Sequence, residues 1–243
     1  MNKKRGQLIV ALDLPTFKEA KKLIEVLGNT VDIYKVGSQL FIASGSEIIH
    51  YLSKKGKRIF FDLKFHDIPN TVASSVAAAV SLSFKNGQPL VKNSGIMMMT
   101  VHIQGGKEML KAAVRSSRDE AGKLKISRPL IIGVTVLTSD VGNDNVSETV
   151  LERTQLAKKC GLDGVVASSQ EAAMLREEFG NDLVIVTPGI RPLGSQAGDQ
   201  KRVATPADAI INGSDFLVVG RPIVQSDNPL KAAKEILKEI QEA

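Results

Sequence analysis

Short runs of β-branched and aliphatic residues alternate with amphipathic segments along the whole chain. This alternation constrains the possible fold more than any other feature. The runs are Leu8–Leu12, Val31–Val36, Arg58–Leu63, Met97–Ile103, Leu130–Leu137, Gly164–Ala167, Leu183–Val186 and Phe216–Val219. Helical spacing fills the intervals, at Phe17–Leu27, Phe41–Lys54, Pro69–Phe84, Lys107–Ser117, Asn145–Lys159, Gln170–Phe179, Pro206–Ile211 and Pro229–Ile240. In the first of these, Ala20, Leu23, Ile24 and Leu27 recur on one face. Strands that are apolar without interruption are buried on both faces, which implies a parallel sheet. Eight strand–helix units in 243 residues, roughly 30 residues each, predict an α/β fold of the closed (β/α)8 TIM-barrel type, with residues 1–243 forming one domain. By pattern alone, an open doubly wound sheet is the alternative.

Composition removes other classes. Hydrophobic residues at 43% and charged residues at 24% exclude a disordered chain. No apolar run approaches the length of a membrane span. The basic start, Lys3-Lys4-Arg5, precedes an apolar run that Asp13 closes too early for a secretory signal, so a first strand and a cytoplasmic location are expected. Cys160 is the only cysteine, which rules out an intrachain disulfide and a cysteine-based zinc site. The net charge of +6 fits nucleic acid, an anionic small molecule or simply a basic surface. With no tryptophan, 4% aromatics and no recognisable motif, nucleic acid is not the expected partner.

The ends of the strands carry the chemistry. Strand one ends in Asp13, strand two in Lys35-Val36-Gly37, strand three in Asp62-Leu63-Lys64 and strand four in His102. Thr138-Ser139 follow strand five, Pro188-Gly189-Ile190-Arg191 strand seven, and Gly220-Arg221 strand eight. In a barrel that rim holds the active site. Side chains alternate along a strand, so Asp62 and Lys64 point the same way, into the barrel mouth, and Lys35 on the neighbouring strand reaches the same space. Asp67 opens a turn into the next helix and could be only a cap. The loops after strands seven and eight form a phosphate-type site, with glycine allowing close backbone approach and Arg221 offering a fork. The long Gly-containing loop that follows Arg191 suits a lid.

His50, His66 and His102 show no metal-ligand spacing, and no nucleotide P-loop is present, so neither metal nor cofactor is expected. His102 reads as a packed histidine more readily than a catalytic one, and His66 as a support for the Asp62–Asp67 turn. The irregular stretch from Lys85 to Gly95 lies between a helix and a strand, on the face away from the chemistry, and reads as a tolerated insertion or an interface.

These motifs resemble the bacterial orotidine 5′-phosphate decarboxylases. The likeness runs nearly end to end through Ala11-Leu12-Asp13, Lys35-Val36-Gly37, Asp62-Leu63-Lys64-Phe65-His66-Asp67-Ile68-Pro69-Asn70-Thr71, Val101-His102, Leu137-Thr138-Ser139, Thr187-Pro188-Gly189-Ile190-Arg191, Gln200-Lys201-Arg202 and Val219-Gly220-Arg221-Pro222. The stretch from Lys85 to Gly95 is longer than the family pattern. The resemblance implies a homodimer that converts orotidine 5′-phosphate to UMP and CO2 without metal or cofactor. Lys64 would be the catalytic lysine, in an array with Lys35, Asp62 and the partner subunit's Asp67. Asp13, Lys35 and the partner subunit's Thr71 would bind ribose, with Asn70 also at the substrate. Thr138 and Ser139 would meet the pyrimidine. Gln200, Gly220, Arg221 and Arg191 would hold the phosphate end and the closing loop. Two alternatives stay open: a metal-dependent sugar-phosphate decarboxylase or synthase of the same superfamily, and a non-catalytic barrel that binds phosphorylated nucleotides.

Overall fold

The chain closes on itself: its first strand hydrogen-bonds to both the second and the last. The computed structural model describes residues 6–82, 84–85, 88–89, 91, 94–137, 145–192 and 203–243, with the backbone alone at 85, 88 and 89. Eight parallel strands form the barrel: β1 (Gln7–Ala11), β2 (Ile33–Gly37), β3 (Arg58–Phe65), β4 (Gly95–His102), β5 (Leu130–Val134), β6 (Gly164–Val166), β7 (Val184–Thr187) and β8 (Phe216–Val219). The closed barrel, not the open sheet, is therefore the architecture.

Alternation along each strand splits the apolar residues into two cores. Ile9, Ile33, Phe60, Met98, Ile132 and Val218 fill the barrel interior. Their neighbours Val10, Tyr34, Phe61, Met99, Ile131 and Val219 point outward against the helices and belong to the larger core. The interior is thus packed solid below the mouth, as expected for eight strands. Above Phe60, the inward positions of β2 and β3 turn polar, at Lys35 and Asp62.

The helices follow their caps. Thr16 accepts the Glu19 amide at the start of Phe17–Leu27, and that helix buries the Ala20, Leu23, Ile24 and Leu27 face anticipated from spacing. The expected helix Phe41–Lys54 is two helices, Ser38–Ser44 and Glu47–Lys54. Gly45 ends the first with φ 55°, a left-handed turn that apolar spacing does not reveal. The helix expected at Lys107–Ser117 runs from Gly106 to Leu124, because its polar last turns still bury Ala121. Strand β5 stops at Val134 rather than Leu137. In the stretch from Lys85 to Gly95, Phe84–Lys85 pairs antiparallel with Gln88–Pro89. This hairpin enters β4 at its N-terminal end, where Gly95 pairs with Arg58, opposite the polar mouth.

Candidate active site

A cavity of about 490 Å³ opens at the C-terminal mouth of the barrel. Phe60 floors it, and Asp13, Lys35, Asp62, Lys64, Arg191 and Arg221 supply its charge. Four cations face two carboxylates there, so the lining carries an excess of positive charge suited to an anionic ligand.

Asp62 is the hub. Its Oδ2 accepts Lys64 Nζ at 2.8 Å and lies 3.8 Å from Lys35 Nζ. Lys35 in turn donates to Asp13 Oδ1 at 2.8 Å. The side chains of Asp62 and Lys35 are only 10% and 12% exposed, whereas Lys64 keeps 37%, so the ammonium open to a ligand is that of Lys64. The other Asp62 oxygen, Oδ1, accepts the Thr100 hydroxyl at 2.9 Å.

The backbone beneath this cluster is irregular. Pairing between β3 and β4 jumps from Phe61↔Met99 to Phe65↔Val101, and inside the jump Lys64 has φ 51°. A left-handed lysine is costly, and such strain concentrates at functional sites. Gly37, in register with Asp62, leaves room for the cluster: a Cβ there would stand 3.3 Å from Lys35 Nζ.

At the other end of the cavity, Arg191 is buried and donates to the Ile190 carbonyl at 2.9 Å. Arg221 begins a short helix, Arg221–Val224, with Gly220 as its N-cap. Gly220 and Gly189 line the same cavity, which leaves backbone within reach of a ligand.

Asp13, Lys35, Asp62, Lys64, Arg191, Gly220 and Arg221 therefore come together within one chain. Asp67, Asn70 and Thr71 do not. They are exposed, outside the cavity lining, and Asp67 accepts the amide of Ile68 at 2.7 Å. Thr138, Ser139, Gln200 and the lid expected after Arg191 lie outside the described residues. His102 does not line the cavity. Its ring centroid sits 5.4 Å from that of His66, and burial, followed by the nearby His66 and Lys64, pushes its pKa below the usual histidine range.

Thr100 is the functional-site residue that sequence reasoning missed. Its one signal was a hydroxyl inside an otherwise apolar run, Met97-Met98-Met99-Thr100-Val101. Gln225 also lines the cavity near Arg221 and carried no signal at all. Among the described residues, no group of three or more His, Cys, Asp or Glu is placed to hold a metal ion, and no helix is long and apolar enough to cross a membrane.

A closed (β/α)8 barrel with buried paired charges and phosphate-type loops at its mouth defines a class: barrel proteins that act on small anionic substrates. Comparison with known proteins narrows it. The sequence pattern of the Orotidine 5'-phosphate decarboxylase / HUMPS family matches residues 6–236, and the chain belongs to that family. The protein named orotidine 5'-phosphate decarboxylase from Moorella thermoacetica is 44% identical over 98% of this chain and 93% of its own length. The one so named from Coxiella burnetii is 44% identical over 99% of both. The crystal structure of orotidine 5'-phosphate decarboxylase from Lactobacillus acidophilus superposes with a TM-score of 0.80 at 36% identity, covering 97% of this chain and 99% of that one.

Proposed function

We propose that this chain decarboxylates orotidine 5′-phosphate to UMP and CO2, the step that yields UMP in pyrimidine synthesis. The observation that carries the reading is Asp62 held by Lys64 and flanked by Lys35 at one end of a cavity whose other end holds Arg191 and Arg221. A nucleotide with phosphate at the arginines would present its pyrimidine to the lysines.

Heterolysis of the C6–carboxylate bond releases neutral CO2 and leaves the electron pair on C6, in the ring plane, where the π-system delocalises it poorly. The Lys64 ammonium, aimed at C6, stabilises that charge and donates its proton to C6, and solvent then reprotonates the amine. The Asp62 carboxylate, itself flanked by Lys35, holds the Lys64 ammonium in place. Asp13 and Lys35 bind the ribose hydroxyls. Arg191, Arg221, the Gly220 backbone and Gln200 bind the phosphate, whose remote binding energy serves the chemical step. Thr138 and Ser139 meet the pyrimidine.

The site is completed in a homodimer. Asp67, Asn70 and Thr71 stand exposed beside Ile68, itself 66% exposed, and reach the cavity of a second copy rather than their own. The whole chain acts as one catalytic domain, needs no metal or cofactor, and works in the cytoplasm without nucleic-acid or membrane partners.

Ultraviolet absorbance of orotidine 5′-phosphate mixed with purified protein and excess chelator tests the reaction. Loss of the orotate band with formation of UMP is the expected result. No change with chelator, and turnover only after metal is added, would point instead to the sugar-phosphate relatives. Mixing Lys64→Ala and Asp67→Ala chains tests the dimer. Each variant alone is inactive, and random heterodimers, with one intact site each, regain about a quarter of wild-type activity. No recovery on mixing would overturn the shared site.

A further inference from the structure

We infer that Thr100 is a positioning residue whose hydroxyl holds Lys64 and Asp62 in the geometry that decarboxylation requires. The inference rests on the decarboxylase reading and adds a residue to it.

Thr100 is wholly buried on β4, between Met99 and Val101. Its hydroxyl has one proton to give, and the directions of its bonds are set by its neighbours. The Lys64 amide can only donate, and it does so to Thr100 Oγ1 at 2.8 Å. The Asp62 carboxylate accepts, and Thr100 donates to its Oδ1 at 2.9 Å. One side chain thus satisfies the amide of a left-handed lysine within the β3–β4 register jump and also fixes the rotation of the carboxylate. With Oδ1 taken, Oδ2 is the oxygen that faces Lys64 Nζ at 2.8 Å and Lys35 Nζ at 3.8 Å. The same hydroxyl therefore governs both the backbone from which the Lys64 side chain springs and the anion that holds its tip. Neither Asp62 nor Lys64 can shift without breaking one of these bonds.

The test compares wild-type protein with Thr100→Val, which removes the hydroxyl at nearly equal shape, and Thr100→Ser, which keeps it. Turnover of orotidine 5′-phosphate is measured over a range of substrate up to saturation, and UMP affinity by calorimetry. The expected result is a fall in kcat of about 10²-fold for Thr100→Val, with KM and UMP affinity within about threefold of wild type, because misplacement of reacting groups costs rate rather than binding. Thr100→Ser restores kcat to within about fivefold of wild type, since the hydrogen bonds return. If Val at this position prevents folding, Thr100→Ala serves as the hydroxyl-free partner to Thr100→Ser. A hydroxyl-free variant with kcat within about threefold of wild type overturns the inference, as does a Thr100→Ser variant as slow as the hydroxyl-free one. No turnover by wild-type protein is a different outcome: it overturns the decarboxylase reading, and this role with it.

Discussion

The two ends of the barrel handle charge in opposite ways. At the N-terminal end, carboxylates are matched by arginine and by backbone. Asp163 accepts Arg128 at 2.9 Å and the Ile131 amide at 2.8 Å. Asp215 repeats the arrangement with Arg176 at 2.9 Å and the Ile185 amide at 2.8 Å. Asp32 pairs with Arg58, which also donates to Gln7. Each of these Asp residues lies just before or near the start of a strand and ties the barrel floor together. At the C-terminal end two lysines, point charges on flexible stems, gather around Asp62 and line a cavity with two arginines. Lys64 sits on a strained backbone, and Arg191 and Arg221 line the same cavity. The floor spends its charge on internal bonds, so it stabilises the fold. The mouth keeps charge in excess of what the fold uses, so it can act on a ligand.

Exchanging the roles of the two ends should fail in predictable ways. The largest effect belongs to the mouth: Lys64→Ala is expected to cut kcat by at least about 10⁴-fold while UMP affinity changes little, because the lysine supplies both charge stabilisation and the proton. Equal losses in turnover and in UMP binding would remove Lys64 from that role. The floor should show the reverse. Asp215→Ala strands the mostly buried Arg176 and the Ile185 amide, and unfolding in urea should show a loss of about 3–5 kcal/mol with kcat of the folded fraction preserved. A large fall in kcat at full stability would mean that the two ends are not separable. Arg221→Ala, back at the mouth, should raise KM for the phosphorylated substrate about 10- to 100-fold, the scale of charged hydrogen bonds lost.

The smallest expected effect is at His102, the last residue of β4. Burial lowers its folded pKa, whereas in the unfolded chain it titrates near about pH 6.5. Below that pH the unfolded state takes up the proton first. Stability contributed by neutral His102 is therefore full above the unfolded pKa and is lost as pH falls toward the folded pKa. Melting temperatures measured downward from neutral pH should fall more steeply for wild type than for His102→Asn. Parallel curves would remove His102 from the acid response.

Much of this division was legible in the residues. Apolar alternation located all eight strands, and the polar residues that end them marked the mouth, including Lys35, Asp62, Lys64 and Arg221. The floor was not legible. Asp32, Asp163 and Asp215 precede their strands much as a turn residue would, and their arginines lie far away in sequence or on other elements. Nor was Thr100, because a threonine in a strand ordinarily signifies only β propensity. Gly45 hid a helix break inside good helical spacing, since a left-handed turn depends on a backbone angle that periodicity does not report.

From its own order of residues, the chain determined which segments become strand or helix, because side-chain periodicity and capping are local. It also determined which strand ends carry charge. Tertiary structure alone decided between the closed barrel and the open sheet, brought Thr100 onto Asp62, and gave Lys64 a left-handed backbone within a break in register. Those outcomes depend on strand closure and register, which are set by hydrogen bonds and packing between segments far apart in the chain.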